Sequence, residues 1–486
     1  MMRKTLRRTK IVATMGPATN TPKAVEDMIR AGVDVVRLNF SHGELEDHKY
    51  RAQLVRDAAD KLGWAVAILG DLQGPKIRVD RFINGKVTIK PGDSFVLDAA
   101  FDEHSGTAQR VGIAYKELPK DVKKGDDLML DDGRIVLEVT DVINNTEIHT
   151  TVIIGGDLSD NKGINKRGGG ISAAALSEKD KEDIKYAAKI NVDFLAVSFP
   201  RTADDLNLAR KLLEEAGSKA AIVSKIERAE AVTDENLDKI IKASDIVMVA
   251  RGDLGVEIGD ANLPLMQKKI IKRSRQLNRA VITATQMMET MIENTIPTRA
   301  EVFDVANAVM DGTDAVMLSG ETAIGKHPAK VVAAMADICI EAEQSANAKK
   351  SKHRLHKKFN HIDEGIAMST MYVANHMGVK GIGALTETGS TVLWMSRISS
   401  SIPIYAMTTH KSTCRKVCIY RGVYPVYIHE NLSSPREANR LVVEHLLDEK
   451  IVSKNDLVII TKGDIVGEGT GGGTNQMKII KVGQPP

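Results

Sequence analysis

The chain has 486 residues, with 67 lysines and arginines, 64 aspartates and glutamates, and a formal net charge of +3. This length predicts two or three domains, and the interspersed charges exclude a basic tail for nucleic acid and a polybasic membrane patch. The three cysteines, Cys339, Cys414 and Cys418, have no metal-ligand spacing and exclude a disulfide framework. We therefore expect small-molecule partners, no nucleic acid, no membrane, and oxygen ligands for any metal.

The amino-terminal segment MMRKTLRRTK is basic, but only three apolar residues follow it before polar residues and glycine. That run is too short for the hydrophobic region of a signal peptide. No apolar run in the chain approaches the roughly 20 residues of a transmembrane helix. We expect a soluble protein of the cytoplasm.

One pattern recurs before residue 346: a short aliphatic run, then a glycine or polar cluster, then an amphipathic stretch of helical length. The eight runs are KIVATMG from Lys10, DVVRLNF from Asp34, AVAILGD from Ala65, DFLAVSF from Asp193, AAIVSKI from Ala220, DIVMVAR from Asp245, AVITATQ from Ala280 and DAVMLSG from Asp314. Alternating strands and helices favour an α/β fold with a parallel sheet. Eight such units predict a TIM (β/α)8 barrel.

The barrel pattern is interrupted at residues 75–171, where the helical period disappears. Short alternating runs are separated there by Pro-Gly, Asp-Asp-Gly and Gly-Gly turn signals, which predicts a small inserted β-barrel domain. Placed after the third strand, this insertion stands over the barrel mouth and can act as a lid that excludes water. A purely structural elaboration of the barrel is the alternative.

The segment NAKKSKHRLHKKFNH at 347–361 is a charged connection, typical of a solvated face. Five further aliphatic runs predict a separate open α/β domain: GIGALTE, IPIYAMT, GVYPVYI, DLVIITK and QMKIIKV. The predicted domains are the catalytic barrel at 1–74 and 172–346, the lid at 75–171 and a regulatory α/β domain at 347–486.

Polar residues follow seven of the eight barrel strands. Because the chemistry of TIM barrels gathers at the carboxyl ends of the strands, these residues are expected to converge on one mouth. They are Arg37, Asn39 and Ser41 after the second strand; Asp71, then Lys76 and Arg78, after the third; Ser198 after the fourth; Lys225 and Glu227 after the fifth; Arg251, Gly252 and Asp253 after the sixth; Thr285 after the seventh; and Ser319 and Glu321 after the eighth.

This mixture of cations and carboxylates suits a phosphorylated, carboxylate-bearing substrate held with a hard divalent ion. Glu227 and Asp253 can supply oxygen ligands, which favours magnesium over zinc. Arg37 and Lys225 can neutralise charge on a transferring phosphoryl group. Gly252 lets backbone amides approach the substrate closely.

Each of these residues also has an ordinary structural interpretation. Lys225 and Glu227 point to the same side of an extended strand and can form a structural ion pair. Thr285 and Ser319 can cap the helices that follow them. The full ring of polar strand ends favours the functional interpretation.

Several longer strings resemble those of one enzyme family. They are VVRLNFSHG at 35–43, GDLQGPKIR at 70–78, SKIE at 224–227, MVARGDLGVE at 248–257, ITATQMMETM at 282–291, PTRAEVFDVANAVMDGTDAVMLSGETA at 297–323 and YRGVYPV at 420–426. In this order, and over nearly the whole chain, they closely resemble pyruvate kinase of the bacterial type. The three-domain order predicted above agrees with the architecture of that family.

The resemblance implies phosphoryl transfer from phosphoenolpyruvate to ADP, giving ATP and an enolate of pyruvate, in a homotetramer. It implies that Lys225 stabilises the transferring group and that Glu227 and Asp253 hold Mg²⁺ or Mn²⁺. The implied catalytic residues are Lys225, Arg37 and Thr285, and the implied substrate-binding residues are Arg37, Ser198, Gly252, Asp253 and Thr285. The implied nucleotide-binding residues are His42, Arg78 and Lys162, of which the last two lie at the edges of the lid.

A monovalent-cation site is common in the family at positions matching Asn39, Ser41, Asp71 and Leu72. A glutamate usually accompanies it where this chain has Lys76. The lysine ammonium can supply the charge that potassium otherwise provides. We therefore expect activity without potassium.

The segment LTETGST at 385–391 resembles the family's sugar-phosphate effector loop, with GEGTGGGTN at 467–475 as the facing loop. Hydroxyls and amides at a helix start favour a phosphate, although simple capping of the helix explains them equally well. The predicted effector residues are Thr386, Thr388, Gly389, Ser390 and Thr391. Glu387 and Ser390 stand where bisphosphate-responsive members carry basic residues, so we expect a monophosphate effector such as a sugar monophosphate or AMP.

Two other functions remain open at this point. An aldolase-type barrel would use Lys225 as a Schiff-base nucleophile. A metabolite sensor would keep the effector domain and lack the chemistry. The metal carboxylates and the lid argue against the first, and a competent residue at every catalytic position argues against the second.

Overall fold

The computed structural model describes residues 6–345, 358–429, 435–463 and 473–484. Most of the predicted connection at 347–361 and of the facing loop at 467–475 lies outside these ranges.

The chain begins with three strands and two helices of the barrel. They are β1 (Lys10–Thr14), α1 (Pro22–Ala31), β2 (Val35–Asn39), α2 (Leu45–Leu62) and β3 (Ala67–Asp71). Every position of β1 and β3 is buried, as expected for strands covered on both faces. α1 begins where the hydroxyl of Thr21 accepts a hydrogen bond from the amide of Ala24, and α2 ends at Gly63 with a φ of 66°.

The inserted lid consists of eight strands and one short helix. They are β4 (Lys86–Ile89), β5 (Ser94–Asp98), β6 (Arg110–Gly112), α3 (Leu118–Asp121), β7 (Asp127–Leu130), β8 (Ile135–Ile143), β9 (Glu147–Ile154), β10 (Gly156–Ser159) and β11 (Ile164–Lys166). A six-stranded sheet has the order β11-β7-β8-β9-β5-β6, and β10 pairs with β4. Isolated bridges from Arg78 to Gly163 and from Val79 to Ile113 connect the two edges of the larger sheet through the entering segment.

The chain then returns to complete the barrel. The elements are α4 (Glu178–Lys189), β12 (Phe194–Val197), α5 (Ala203–Glu215), β13 (Ala221–Ile226), α6 (Asp234–Ala243), β14 (Ile246–Ala250), α7 (Arg251–Ile258), α8 (Leu263–Gln276), β15 (Ala280–Ala284), α9 (Arg299–Asp311), β16 (Ala315–Leu318), α10 (Gly320–Ala323) and α11 (Pro328–Ala342). The eight parallel strands close in the order β1-β16-β15-β14-β13-β12-β3-β2. The predicted TIM barrel is confirmed.

Side-chain alternation places the site residues at the top of the barrel interior. The interior core contains Val35, Leu69, Ala196 and Val223. Successive residues of a strand point to opposite faces, so the residue two positions further on points to the same side. Those residues are Arg37, Asp71, Ser198 and Lys225, and they form the next layer at the mouth.

The carboxy-terminal domain is a five-stranded sheet with helices on both faces. Its elements are α12 (Ile362–His376), β17 (Gly381–Leu385), α13 (Ser390–Ser396), β18 (Ile404–Thr408), α14 (Lys411–Val417), β19 (Val423–Tyr427), α15 (Pro435–Asp448), β20 (Leu457–Lys462) and β21 (Gln476–Lys481). The order is β19-β18-β17-β20-β21, with only the last pair antiparallel. The predicted open α/β domain is confirmed, while the boundaries between the three domains stay predictions.

The floor of the barrel is sealed against this domain by buried polar contacts. Asp314, just before β16, pairs with Arg397, and both side chains are 1% exposed. One guanidinium nitrogen of Arg397 lies 2.9 Å from a carboxylate oxygen of Asp314, and the amide of Arg421 donates to the other oxygen at 3.0 Å. The two domains are therefore joined by a network in which each polar group depends on the other domain.

Candidate active site

Arg37 is held at the mouth by its two strand neighbours. Its Nε donates to a carboxylate oxygen of Asp71 at 2.6 Å, and its Nη1 donates to the hydroxyl of Thr14 at 3.1 Å. The side chain of Asp71 is 1% exposed and that of Arg37 is 12% exposed. Asp71 and Thr14 thus fix the orientation of the Arg37 guanidinium.

Lys225 stands at the centre of the mouth among three oxygen groups. Its Nζ lies 2.7 Å from the hydroxyl of Ser198, 2.9 Å from Oε1 of Glu227 and 3.5 Å from Oδ1 of Asp71. Burial acts to lower the pKa of Lys225, but the charges of Asp71 and Glu227 outweigh it and raise the pKa to about 12. The ammonium is therefore a permanent cation at neutral pH, which disfavours the Schiff-base alternative because that chemistry needs the neutral amine.

Ser198 is buried and connects Lys225 to the third strand end. Its hydroxyl donates to the carbonyl of Leu72 at 2.8 Å and accepts from Lys225. In this geometry Ser198 orients the lysine, and its predicted contact with substrate stays a prediction.

Glu227 is a buried carboxylate and Asp253 a half-buried one, and the charge of Asp253 acts on the ionisation of Glu227. Burial raises the pKa of Glu227 to about 7, against the pull of Lys225, and the charge of Asp253 adds to the rise. Oε2 of Glu227 accepts the amide of Phe199 at 2.7 Å. Burial also raises the pKa of Asp253; the charge of Lys225 opposes this. Two carboxylates with raised pKa values suit a divalent cation, which would stabilise both charges.

Thr285 reaches the mouth because the chain leaves the strand conformation after β15. Thr285 and Gln286 have φ of 69° and 53°, which turns the Thr285 hydroxyl onto the amide of Gly252 at 2.9 Å. Arg251 fixes the same turn by donating to the carbonyl of Thr285 at 2.6 Å and to Asp304 at 2.6 Å. Gly252 and Thr285 are thus adjacent, and their predicted contact with substrate stays a prediction.

The lid presents charged groups to the same carboxylates. The charge of Asp132 acts to raise the pKa of Asp253 and that of Arg78 acts to lower it, so both lid residues lie within electrostatic reach of the barrel. Lys162 is paired with Asp131 at 2.6 Å. His42 is exposed at the rim.

The predicted monovalent-cation position is partly assembled. The side-chain oxygen of Asn39 accepts the amide of Ser41 at 3.1 Å, and Asp71 contacts Arg37 and Lys225. Lys76 is exposed on the crossing into the lid, and its ammonium makes no hydrogen bond or ion pair with any residue that the structure describes. Potassium independence therefore stays a prediction.

The predicted effector residues form a compact turn at the carboxyl end of β17. The amide of Gly389 donates to the hydroxyl of Thr386 at 3.0 Å, and the hydroxyls of Thr388 and Ser390 lie 3.2 Å apart. Thr391 is buried and its hydroxyl lies 2.6 Å from that of Thr474. Thr391 therefore has a structural contact inside the domain, but no side chain caps this helix, whose N-cap is Gly389; the other hydroxyls remain near the surface.

Sequence reasoning missed three groups that shape the site. Thr14, which orients Arg37, ends β1, and the strand-end rule could have found it. Phe199 has a φ of 54° and delivers its amide to Glu227; no sequence signal marks this. Arg228 follows Glu227 and binds the returning lid segment, a contact that only the tertiary structure creates.

Two properties hold for the described part of the chain. It contains no group of three or more histidines, cysteines, aspartates and glutamates arranged to hold a metal ion. Among the helices of this part, none is both long enough and apolar enough to cross a membrane.

Comparison with known proteins gives one consistent result. The family model described as pyruvate kinase, barrel domain, matches residues 6–332, and the one described as pyruvate kinase, alpha/beta domain, matches residues 364–480. The chain is 57% identical over 483 residues to "Pyruvate kinase II" of Salmonella typhimurium, covering 99% of this chain and 100% of that protein. It is 56% identical over 464 residues to the pyruvate kinase of Haemophilus influenzae, covering 95% and 97%. The crystal structure of a pyruvate kinase from Cryptosporidium parvum covers 98% of this chain and 96% of its own, with a TM-score of 0.91 and 32% identity. This chain belongs to the pyruvate kinase family.

Proposed function

We propose that Lys225 is the residue on which the reaction of this enzyme, phosphoryl transfer from phosphoenolpyruvate to ADP, chiefly depends. One observation carries the proposal: a lysine kept charged by two carboxylates stands at the centre of the mouth, 2.9 Å from Glu227 and 3.5 Å from Asp71. A fixed cation in a water-poor site stabilises charge that spreads over the transferring group and the enolate. Arg37, held by Asp71 and Thr14, would supply a second cation to the phosphate.

Glu227 and Asp253 would hold a magnesium or manganese ion. Glu227 is buried, Asp253 is half-buried, and both have raised pKa values, so a cation between them would replace the protons that partial or full burial favours. Two protein carboxylates leave the remaining positions to substrate and water, which is how Mg²⁺ is usually bound at phosphate sites. Such an ion would polarise phosphate and carboxylate oxygens of the bound substrate.

The substrate carboxylate would lie at the Gly252–Thr285 end of the mouth. The amide of Gly252 donates to the Thr285 hydroxyl at 2.9 Å, and the substrate carboxylate would replace or share that acceptor. Helix α7 begins there, so its first amides favour an anion. Thr285 would also belong to the path that delivers a proton to the enolate carbon.

Closure of the lid would bring Arg78 and Lys162 to the nucleotide phosphates, where they would meet His42 of the barrel. The charge of Arg78 already acts on Asp253, and Lys162 has a carboxylate partner, Asp131, that phosphate oxygens could displace. Closure over ADP would exclude water from the transferring group.

A phosphorylated effector would bind at the carboxy-terminal domain, with Thr386, Thr388, Gly389 and Ser390 as its predicted contacts. The same domain has a cavity of about 710 Å³ whose lining includes Asn475, the chain neighbour of Thr474, and the hydroxyl of Thr474 lies 2.6 Å from that of Thr391. The described residues that line the cavity include three cationic side chains and no carboxylate. The lining residues are Arg436, Asn439, Lys462, Asn475, Gln476, Met477 and Lys478. Burial lowers the pKa of Lys462, and the nearby Lys478 adds to this effect. A bound anion would stabilise both ammonium groups.

A homotetramer in the cytoplasm is the assembly and location that we propose. Large apolar side chains are exposed on two separate helices: Phe303 and Met310 on α9, and Ile362 and Tyr372 on α12. Two such faces on one chain suit an assembly with two kinds of two-fold interface. All three cysteines are buried and free, which suits a reducing compartment.

The test is pyruvate formation from phosphoenolpyruvate and ADP with Mg²⁺, with and without potassium, for the wild type and Lys225→Met. We expect wild-type turnover in both buffers and a loss of roughly a thousandfold or more in kcat for the variant, because a charge is removed from the transition state. Circular dichroism of the variant controls for folding. A folded Lys225→Met enzyme with near wild-type kcat would contradict the proposal.

A further inference from the structure

The lid is joined to the barrel by two chain crossings, and the returning one begins with three glycines. Gly168, Gly169 and Gly170 have φ of 79°, 79° and 93°, a region of backbone conformation that favours glycine. A Cβ on Gly169 would lie 2.4 Å from a carboxylate oxygen of Glu230. The crossing therefore contains residues that rotate easily and that no other residue type could replace without strain.

Three successive carbonyl groups after these glycines are bound by two arginines of the barrel. Nη1 of Arg228 donates to the carbonyl of Ile171 at 2.6 Å, and Nη2 donates to that of Ala173 at 3.4 Å. Nη1 of Arg201 donates to the carbonyl between them, that of Ser172, at 3.1 Å. The end of the crossing is thus fixed to the barrel although its beginning is built to turn.

Two of the glycines are also anchored to the barrel through their amides. The amide of Gly170 donates to Oε1 of Glu230 at 2.5 Å, and the amide of Gly168 donates to the carbonyl of Glu257 in α7 at 2.9 Å. The exchange of these two amides with solvent reports directly on whether the crossing is held.

The outgoing crossing is anchored in the same way on the barrel side. Gly74, with a φ of 73°, donates its amide to Oδ1 of Asp180 at 3.1 Å. Asp180 is fully buried in the first turn of α4, where it also accepts from Ser177. The lid is therefore held at two points, near Gly74 and near Ile171, and a line through these points is the axis about which it can turn.

Arg228 also contacts the residue that orients Glu227. Among the described side chains that are almost fully buried, that of Arg228 is one of the largest by volume. Its guanidinium carbon lies 5.7 Å from the ring centroid of Phe199. The amide of Phe199 holds Oε2 of Glu227. One side chain thus contacts both the lid crossing and the wall of the active site.

We propose that Arg228 is a positioning residue that, with Arg201, fixes the axis of lid movement and so the place to which Arg78 and Lys162 are carried. It acts through the carbonyls of the returning crossing and touches no substrate. The inference rests on the proposed role of the lid in nucleotide binding. It adds a residue whose effect should appear in ADP binding and not in phosphoenolpyruvate binding.

The test compares Arg228→Met, Arg228→Lys and Arg201→Met with the control Arg210→Met. Arg210 also donates to a backbone carbonyl, that of Ala243, and to a carboxylate, that of Asp245, each at 2.9 Å. Both partners belong to the barrel and neither lies in a crossing to the lid. We expect the KM for ADP to rise about tenfold in Arg228→Met and less in Arg228→Lys and Arg201→Met. The KM for phosphoenolpyruvate should stay within about threefold of the wild-type value, because misplaced lid groups weaken the binding of ADP only. Arg210→Met should leave both KM values unchanged.

Hydrogen exchange provides a readout that does not depend on catalysis. In Arg228→Met we expect faster exchange of the amides of Gly168 and Gly170, with the barrel strands as protected as in wild type. A folded Arg228→Met with unchanged exchange and unchanged KM for ADP would overturn the proposal, as would equal rises in both KM values.

Two further outcomes are decisive. If Arg228→Met does not fold, Arg201→Met decides, because Arg201 is only partly buried; unchanged exchange and KM for ADP in that variant would overturn the proposal. If Lys162→Met and Arg78→Met leave the KM for ADP unchanged while Arg228→Met speeds exchange of the glycines, the nucleotide role of the lid fails and the anchoring by Arg228 is supported.

Discussion

The ammonium of Lys225 lies 2.9 Å from a carboxylate oxygen of Glu227, and the charge of each group opposes the effect of burial on the pKa of the other. Glu227 helps to raise the pKa of Lys225, and Lys225 restrains the rise that burial causes in Glu227. The pair is a structural ion pair by geometry, but it stands in a mouth where Asp71, Ser198 and Asp253 join it. The loss of the charge of Lys225 or Glu227 would therefore change the electric field at the point of phosphoryl transfer.

Glu227→Gln should abolish most activity without unfolding the enzyme. Glutamine can still accept the amide of Phe199, but it cannot neutralise a divalent ion or the Lys225 ammonium, so we expect kcat to fall roughly a hundredfold or more. Steady-state kinetics over a range of Mg²⁺ concentrations would measure the loss. The matched control is Glu257→Gln: Glu257 is also buried, has a pKa raised by burial to about 7, and accepts the backbone amide of Ala229. Equal losses in both variants would show that Glu227 has no special role.

His48 should make the enzyme sensitive to mild acid. Burial, with help from the charge of Arg51, lowers the pKa of His48 from 6.5 to about 4. A histidine with a lowered folded pKa contributes stability that is present above pH 6.5 and is lost as the pH falls towards 4, since the unfolded state binds the proton first. Melting temperatures between pH 7.5 and 4.5 should fall less steeply for His48→Phe than for wild type. His376→Phe, at an exposed site, is the control, and parallel curves for wild type and His48→Phe would contradict the prediction.

Lys76→Glu should make the enzyme dependent on potassium. The substitution removes the cation that we expect to replace the monovalent ion and restores the acidic residue typical of potassium-dependent relatives. We expect activity in potassium-free buffer to drop at least about tenfold and to recover with added potassium. Lys90→Glu, at an exposed lid position, makes the same charge change elsewhere and should need no potassium. A wild type that is inactive without potassium would refute the argument at once.

Lys162→Met should weaken ADP selectively. The loss of a charge-assisted contact to phosphate corresponds to a rise in the KM for ADP of about tenfold to a hundredfold, with little change for phosphoenolpyruvate. Lys86→Met is the control, because Lys86 is an exposed lid lysine with its own carboxylate partner, Asp157, at 3.3 Å. Initial rates at saturating concentrations of the other substrate separate the two KM values. An unchanged KM for ADP would remove Lys162 from the nucleotide site.

The placement of the site residues at the barrel mouth could be predicted because the alternation of side chains along each strand leaves little choice. Once a strand such as β13 is recognised, a Val223 side chain inside the barrel means that Lys225, two residues later, also points inside. Closure of the barrel then brings Arg37 and Asp71 to the same layer. The strand-end rule would equally have found Thr14. Residues that act from outside the alternation could not be predicted: Arg228 meets Ile171 only because the lid returns there.

The contacts of the lid residues could not be predicted from the sequence, for a different reason. Turn signals predicted its strands, but the pairing of Lys162 with Asp131 depends on a left-handed residue, since Asp131 has a φ of 50°. The place of Lys76 depends on the angle of the outgoing crossing, which local sequence does not determine. Long-range geometry, and not residue type, limited both predictions.

Arg397→Met should destabilise the enzyme strongly. It leaves Asp314 as a buried carboxylate without its guanidinium partner, which typically costs about 3 to 5 kcal/mol. Arg273→Met breaks an ion pair with Asp238 that is 39% and 30% exposed, so that variant should lose at most about 1 kcal/mol. Denaturant titrations followed by circular dichroism compare the two. Similar losses in both variants would show that the floor contact is not a critical one.

The sealed floor of the barrel has a consequence for exchanging domains between relatives. The hydrophobic cluster inside the barrel continues without interruption into the inner face of the carboxy-terminal domain, from Val12 and Ala315 to Ile382 and Tyr420. A chimera that takes its last domain from another species therefore inherits only half of a shared core. Sequence grafts will succeed when both sides of this seam, Asp314 with Arg397 and the apolar residues around them, are taken from the same parent.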